Sequence, residues 1–342
     1  SDLSIYRGIH MKKWQLGLTA SVFSMLLLAG CGDSSENSSG NNSGDGQEKT
    51  YQIGYTQIVE HASLDEAGKG FKQAMKDKGI EAEYDEQSAQ GDPNNAATIA
   101  SKFVADGVDL IFANATPSAQ AALNATKDIP IVFTSVTDPE GVKLVASMEA
   151  PGGNVTGTSD ANPDAIPNTV KFIAEEMGAK TIGTVYNAGE QNSVVQIETM
   201  KEEAKKAGVK LVEASVATSA DVKQAAESLI GKADVIYIIT DNTVVSALDS
   251  VVMVANEQDI PLFVGELDSV ANGGFAAYGF NYYDIGYRAG EMAADILLNG
   301  KKPGEIPAEY PDQLKLVINK KAAEEMGIEI KPEWEEEAEF IE

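Results

Sequence analysis

The chain of 342 residues predicts an α/β protein made of two similar doubly wound parallel-sheet lobes joined by a three-segment hinge. Three observations lead there. From Tyr51 onward short β-rich runs alternate with helical patterns, the signature of right-handed βαβ crossovers. The same order of elements is then written a second time. Three stretches punctuated by Gly or Pro stand where a chain would cross between the halves.

The first half reads in order. Tyr51 to Thr56 predicts a strand, followed by an amphipathic helix from about Leu64 to Lys78 that Gly79 closes. Ile80 to Asp85 is the next strand. Asp92-Pro93 is an N-cap with a first-turn proline for a helix running to about Ala105. Val108 to Ala113 is a buried strand, Ser118 to Thr126 a helix, and Ile131 to Thr134 a strand. Matches in the same order at similar offsets carry the repeat. Ile53-Gly54 corresponds to Ile182-Gly183, and Gly79-Ile80 to Gly208-Val209. Asp109-Leu-Ile-Phe112 matches Asp234-Val-Ile-Tyr237, Ala122-Leu123 matches Ala247-Leu248, and the run from Asp128 to Phe133 matches that from Asp259 to Val264.

Crossings are expected at 152–157, at 273–279 and at 303–311, with Asn162-Pro163 opening a new helix after the first. A helix from about Tyr282 to Leu298 and a strand from Lys315 to Ile318 follow the second and third. One lobe is then residues 51–155 with 279–305, and the other 156–278 with 306–330. Residues 331–342, dense in Glu, read as a solvated acidic tail.

Composition narrows the function classes. The chain is 43% hydrophobic and 23% charged, as globular domains are. Its net charge of −27 opposes a phosphate backbone, which argues against nucleic acid. One cysteine excludes a disulfide framework and a thiolate cluster. The two histidines, His10 and His61, leave little for histidine catalysis or zinc. No cofactor or metal is expected.

The N-terminus reads as an address. Lys12 and Lys13 precede an apolar run from Leu16 to Ala29, too short to span a membrane and closing on Leu28-Ala29-Gly30-Cys31. That ending resembles a bacterial lipobox, which implies cleavage before Cys31 and lipid attachment to its thiol. Residues 1–30 are thus an upstream extension with a signal peptide. Residues 31–49, rich in Gly, Ser and Asn, form a flexible tether of roughly 20–25 Å root-mean-square reach.

In an open parallel sheet, ligands sit beyond the carboxyl ends of the strands. The corresponding loops are 57–63, 114–119 and 135–139 in the first half, and 186–193, 240–243 and 265–268 in the second. All are rich in hydrogen-bonding side chains, although strand-to-helix turns favour such residues in any case.

Here the residues resemble a known family. The lipobox, tether, duplicated lobes and three crossings are similar to type I substrate-binding proteins of ABC importers. Gly54-Tyr-Thr-Gln57, Asn114-Ala-Thr-Pro-Ser-Ala-Gln120 and Thr134-Ser-Val-Thr-Asp-Pro139 resemble the lipoprotein group of tryptophan and tyrosine uptake. Tyr186-Asn-Ala-Gly-Glu-Gln-Asn-Ser193 and Thr240-Asp-Asn-Thr-Val244 add to the likeness. The resemblance covers roughly residues 28–330. It implies a monomer, held to the outer face of a bacterial membrane by lipid alone, that delivers an aromatic amino acid to a permease and performs no catalysis.

An amino acid's carboxylate wants the N–H groups of a helix N-terminus. Thr116, Ser118 and Ala119 open one such helix; Thr243 and the Asn192-Ser193 pair open others. For the ammonium the first choice is Asp241, assisted by Asn187 or Asn242, with Glu190, Asp138, Asp160 and Glu266 as further acids. Tyr55, Phe133 and Tyr186 are the expected ring walls, each of which core packing would also explain. Gln57 and His61 complete the cleft set.

Three other readings compete. A sugar or nucleoside ligand is disfavoured because only Trp334 and Arg288 are available beyond the signal segment. A hydrolase using His61 as base lacks a nucleophile elbow. A lobed transcription regulator would carry a DNA-reading segment where the export signal stands.

Overall fold

The computed structural model describes residues 49–342; the signal-like segment, Cys31 and the tether up to residue 48 lie outside the described residues. The first half is β1 (Tyr51–Gln57), α1 (Ala62–Asp77), β2 (Ala82–Ser88), α2 (Pro93–Asp106), β3 (Leu110–Asn114), α3 (Thr116–Ala125), β4 (Ile131–Val136) and β5 (Val155–Ser159). The second runs α4 (Ala165–Glu175), β6 (Thr181–Tyr186), α5 (Gln191–Ala207), β7 (Lys210–Ser215), α6 (Val222–Glu227), β8 (Val235–Ile238), α7 (Asn242–Val245), α8 (Leu248–Glu257), β9 (Leu262–Val264), α9 (Leu267–Ala271) and β10 (Ala276–Gly279). The chain ends through α10 (Tyr282–Asn299), β11 (Lys315–Asn319), α11 (Lys320–Glu325) and β12 (Ala338–Ile341).

Lobe 1 has the strand order β2-β1-β3-β4-β5, all parallel. In lobe 2 the order β7-β6-β8-β9-β10 repeats it, and β11 and β12 extend the far edge. The duplication reaches individual bonds. Asp109 Oδ2 accepts from Gln52 N at 2.8 Å, and its equivalent Asp234 Oδ2 accepts from Thr181 N at 2.9 Å. Gly54 and Gly183 hold equivalent strand positions, where an added Cβ would strike Phe103 of α2 or Ala233 beyond α6.

Local signals act as the residue types require. Asp92 caps α2 through Asn94 N, with Pro93 at the first turn. Gly79 at φ 75° and Gly208 at φ 70° take the left-handed conformation just past α1 and α5.

The three expected crossings are shifted, and the reading of the tail is refined. Gly152–Gly157 is not a crossing: it leads into β5, which pairs with β4 inside lobe 1. Residues 273–279 lead into and form β10 of lobe 2, so the lobes are joined a few residues later, at 160–164, 280–281 and 310–314. Glu309 still belongs to lobe 1, since Ser159 N donates to its carbonyl. The acidic tail keeps its Glu side chains exposed, as expected, but it is a docked part of lobe 2. Trp334 is buried against Phe172 and Phe275 with its Nε1 donating to Glu176, and β12 pairs parallel with β11. Acidic side chains alternating with Ala338 and Phe340 suit an exposed edge strand.

Candidate functional site

The carboxyl ends of β1, β3 and β4 face those of β6, β8 and β9 across a cleft, and the lobes are closed over it. Three hydrogen bonds cross it: His61 Nε2 to Asn242 Oδ1 at 3.1 Å, Ser63 Oγ to Asp268 Oδ2 at 3.1 Å, and Gln120 Nε2 to Gln191 Oε1 at 3.0 Å. At the mouth a groove of about 1190 Å³ runs between Gln120, Asn124 and Lys127 on one side and Asn187 to Gln191 on the other.

Lobe 1 contributes a helix start without a cap. α3 begins after Ala115 with no side-chain cap, and its first turn is Thr116-Pro117-Ser118. Thr116 Oγ1 and Ser118 Oγ are buried without a partner, as is Ser135 Oγ near the end of β4. Two non-glycine residues hold positive φ here, Ala115 at 86° and Ser135 at 58°. Such strain persists where surroundings impose it, as at ligand sites. Ala119 lies within the same first turn, and its N–H is used by Ala115 O. Gln57 is internal to lobe 1: it accepts from Tyr55 OH and Asn114 Nδ2 and donates to Asp65. Asn114 also donates to Leu64 O, which brings the start of α1 beside that of α3.

Lobe 2 is the converse. Asp241 caps α7 by accepting from Val244 N at 2.8 Å, and takes Asn187 N at 2.7 Å and Ser193 Oγ at 2.6 Å. Burial and the neighbouring Glu190 push its carboxyl up to about 7. These three donors are local, so Asp241 shapes lobe 2, and most of its accepting capacity is used there. Glu190 accepts from Thr243 N and Oγ1 and from the Nδ2 groups of Asn242 and Asn192. Asn187 donates to Thr243 Oγ1, so it too is spent inside the lobe. Asn192 Oδ1 is left buried and unpartnered.

Two acids remain at the hinge end of the cleft. Glu266 is 2% exposed and accepts from Ser269 Oγ at 3.3 Å, with the Ser63 hydroxyl also within its reach. Burial drives its carboxyl up to about 8, and no Lys or Arg among the described residues pairs with it. Asp160, also raised by burial, accepts from Thr137 Oγ1 at 2.9 Å and Tyr282 OH at 2.7 Å. Phe280 and Tyr282 stack there with centroids 5.2 Å apart.

The other expected residues are elsewhere. Asp138 caps the turn at Gly141 N. Phe133 is fully buried in the lobe 1 core, and Tyr55 packs on Phe112. Tyr186 points to an edge, where its hydroxyl donates to Glu213. None of the three walls the cleft. Sequence reasoning passed over Ser63, Ser135, Asp268, Phe280 and Tyr282. The first three end or begin the predicted loops, so they were within reach; the last two stand between an expected crossing at 273–279 and the first turn of an expected helix, outside every loop assigned to the cleft.

Two duplicated lobes, three crossings and a cleft floored by strand ends define a two-lobed solute-binding protein. The chain belongs to the ABC transporter substrate binding protein family, whose profile matches residues 52–339. It is therefore a binding component and not an enzyme. It is 45% identical over 317 residues to a tyrosine-binding protein of Clostridioides difficile (strain R20291), spanning 91% of each chain. A domain from Streptococcus pneumonia solved in complex with L-Trp is 34% identical, with a TM-score of 0.80 over 86% of this chain and 100% of that one. A ligand-free, open substrate-binding protein with adhesive properties from Clostridium difficile is 42% identical over 85% of this chain and 99% of its own, yet its TM-score is 0.62. The more identical chain superposes less well, as expected of similar lobes set at a different angle about the hinge.

Proposed function

We propose that the chain captures an L-aromatic amino acid between its lobes and hands it to an ABC permease, from the outer face of a membrane to which Cys31 is lipid-anchored. One observation carries the ligand class: a closed cleft holding unpaired groups suited to both ends of a zwitterion. The uncapped start of α3, with the free Thr116 and Ser118 hydroxyls, suits a carboxylate. Glu266, buried without a cation and backed by Asp160, suits an ammonium. Phe280 and Tyr282 offer flat apolar surface beside it. The tyrosine-binding relative and the L-Trp complex support an aromatic side chain.

Calorimetry against L-tyrosine, L-tryptophan and L-phenylalanine tests the reading. At least one is expected to bind at micromolar Kd or tighter, about −8 kcal/mol. No heat from any of the three overturns it. Metabolic labelling with a palmitate analogue, lost in Cys31→Ser, tests the anchor.

A further inference from the structure

We infer that His61 is a positioning residue that must be a neutral, Nε2-protonated imidazole for the lobes to close, so that closure expels a proton from any His61 that is charged in the open state. The inference rests on the closing of the cleft and not on which ligand fills it.

The ring is held at both nitrogens by groups that dictate its proton. As the N-cap of α1, His61 Nδ1 accepts from Leu64 N at 3.5 Å, so it carries no hydrogen. The remaining proton sits on Nε2 and is donated across the cleft to Asn242 Oδ1 at 3.1 Å. The orientation of Asn242 is fixed independently. Its Nδ2 donates to Glu190 Oε2 at 2.9 Å, and a carboxylate there only accepts, so Oδ1 must face the histidine. An imidazolium would put a second N–H against the Leu64 N–H and lose the cap.

His61 is 8% exposed in the closed form. Four acids face it: Asp65 from α1, Glu190 before α5, Asp160 after β5 and Asp268 on α9. Burial outweighs them and holds the ring below its ordinary value. Opening breaks the only side-chain bond at Nε2 and returns that edge of the ring to water, where histidines titrate near 6.5. A group whose pKa is depressed on closure favours the closed form at higher pH. That preference is lost as pH falls through the open-state value.

The test is run in a His10→Gln background, so that His61 is the only imidazole. L-tyrosine and L-tryptophan serve as probes. Between pH 7 and pH 5.5 the wild-type Kd for the probe that binds is expected to rise about eightfold more than that of His61→Gln. Gln keeps an N–H at the Nε2 position but has no proton to gain, and it leaves Asp160 and Glu266 in place. His61→Ala is expected to weaken binding at both pH values, with His61→Gln restoring most of it at pH 7. Equal pH slopes in wild type and His61→Gln overturn the inference.

A second arm needs no ligand and separates this inference from the proposed function. With Cys31→Ser, Gln120→Cys and Gln191→Cys are joined by a short bismaleimide across the mouth. ¹⁵N NMR of His61 is expected to show an Nε2–H tautomer that does not titrate between pH 5.5 and 8 in the linked protein. The unlinked, unliganded protein is expected to titrate near 6.5. Ordinary titration in the linked protein overturns the inference, whatever the probes bind.

Discussion

The two lobes share one strand order, and the same point of that order, where the third strand feeds a helix, is finished in opposite ways. In lobe 1, Thr116 starts α3 with no cap and two unpartnered hydroxyls. In lobe 2 the equivalent residue is Asp241, which caps its own short helix and ties in Asn187 and Ser193. A duplicated scaffold offers two positively polarised helix starts. One is filled by the protein's own carboxylate, and the proposed function gives the other to a ligand's. The lobes differ a second time at their far edges, where lobe 2 alone gains β11 and β12.

The largest effect expected concerns that added edge. Trp334→Ala should cost about 3–5 kcal/mol of stability, read as the urea midpoint, because a buried ring and a bond to Glu176 are lost. A loss under 1 kcal/mol would show that the C-terminal strand is not part of the lobe 2 core.

Glu266→Gln should weaken L-tyrosine or L-tryptophan binding at least 100-fold, about 3 kcal/mol, by calorimetry. Retained affinity would move the ammonium elsewhere. The same carboxyl sets a pH dependence without ligand. Its folded value, near 8, is raised, so its stabilising share is complete below the unfolded value near 4.5 and fades as pH rises through 8. That share is on the order of a few kcal/mol, and Glu266→Gln should flatten the thermal-melt profile between pH 5 and 8.5.

The equivalent pair offers a sharper contrast. Asp241→Asn should destabilise the fold by about 1–3 kcal/mol, since the two backbone N–H groups and the Ser193 hydroxyl lose a charged acceptor. Thr116→Val should leave the unliganded melt unchanged or raised, because it removes a buried hydroxyl without a partner. Its cost should appear in affinity, at about tenfold. Similar phenotypes at the two positions would erase the distinction between the lobes. The smallest effect is Tyr186→Phe, expected within about 0.5 kcal/mol in both affinity and stability, as for an edge residue bonded to Glu213.

The duplication was legible because it rests on backbone-determining residues. Asp109 and Asp234, Gly79 and Gly208, and Gly54 and Gly183 each do one local job that few other residues do. The family was legible too, through the motifs that end the strands of both halves. The role of Asp241 was not. An acid at a loop-to-helix junction serves equally as cap or ligand contact, and only geometry shows that Asn187 N and Val244 N reach it. Tyr55 and Phe133 misled because aromatic rings fill cores more often than clefts. In the tail, the density of Glu masked the alternation of Ala338 and Phe340 that makes an edge strand.

The central claim is that the start of α3 holds the ligand's carboxylate. Calorimetry of L-tyrosine and of tyramine, which lacks the carboxylate, tests it on the wild type and on Thr116→Val/Ser118→Ala. The wild type should prefer L-tyrosine strongly, and the double variant should lose most of that preference while binding tyramine as before. A preference that survives both substitutions would contradict the account and place the carboxylate elsewhere in the cleft.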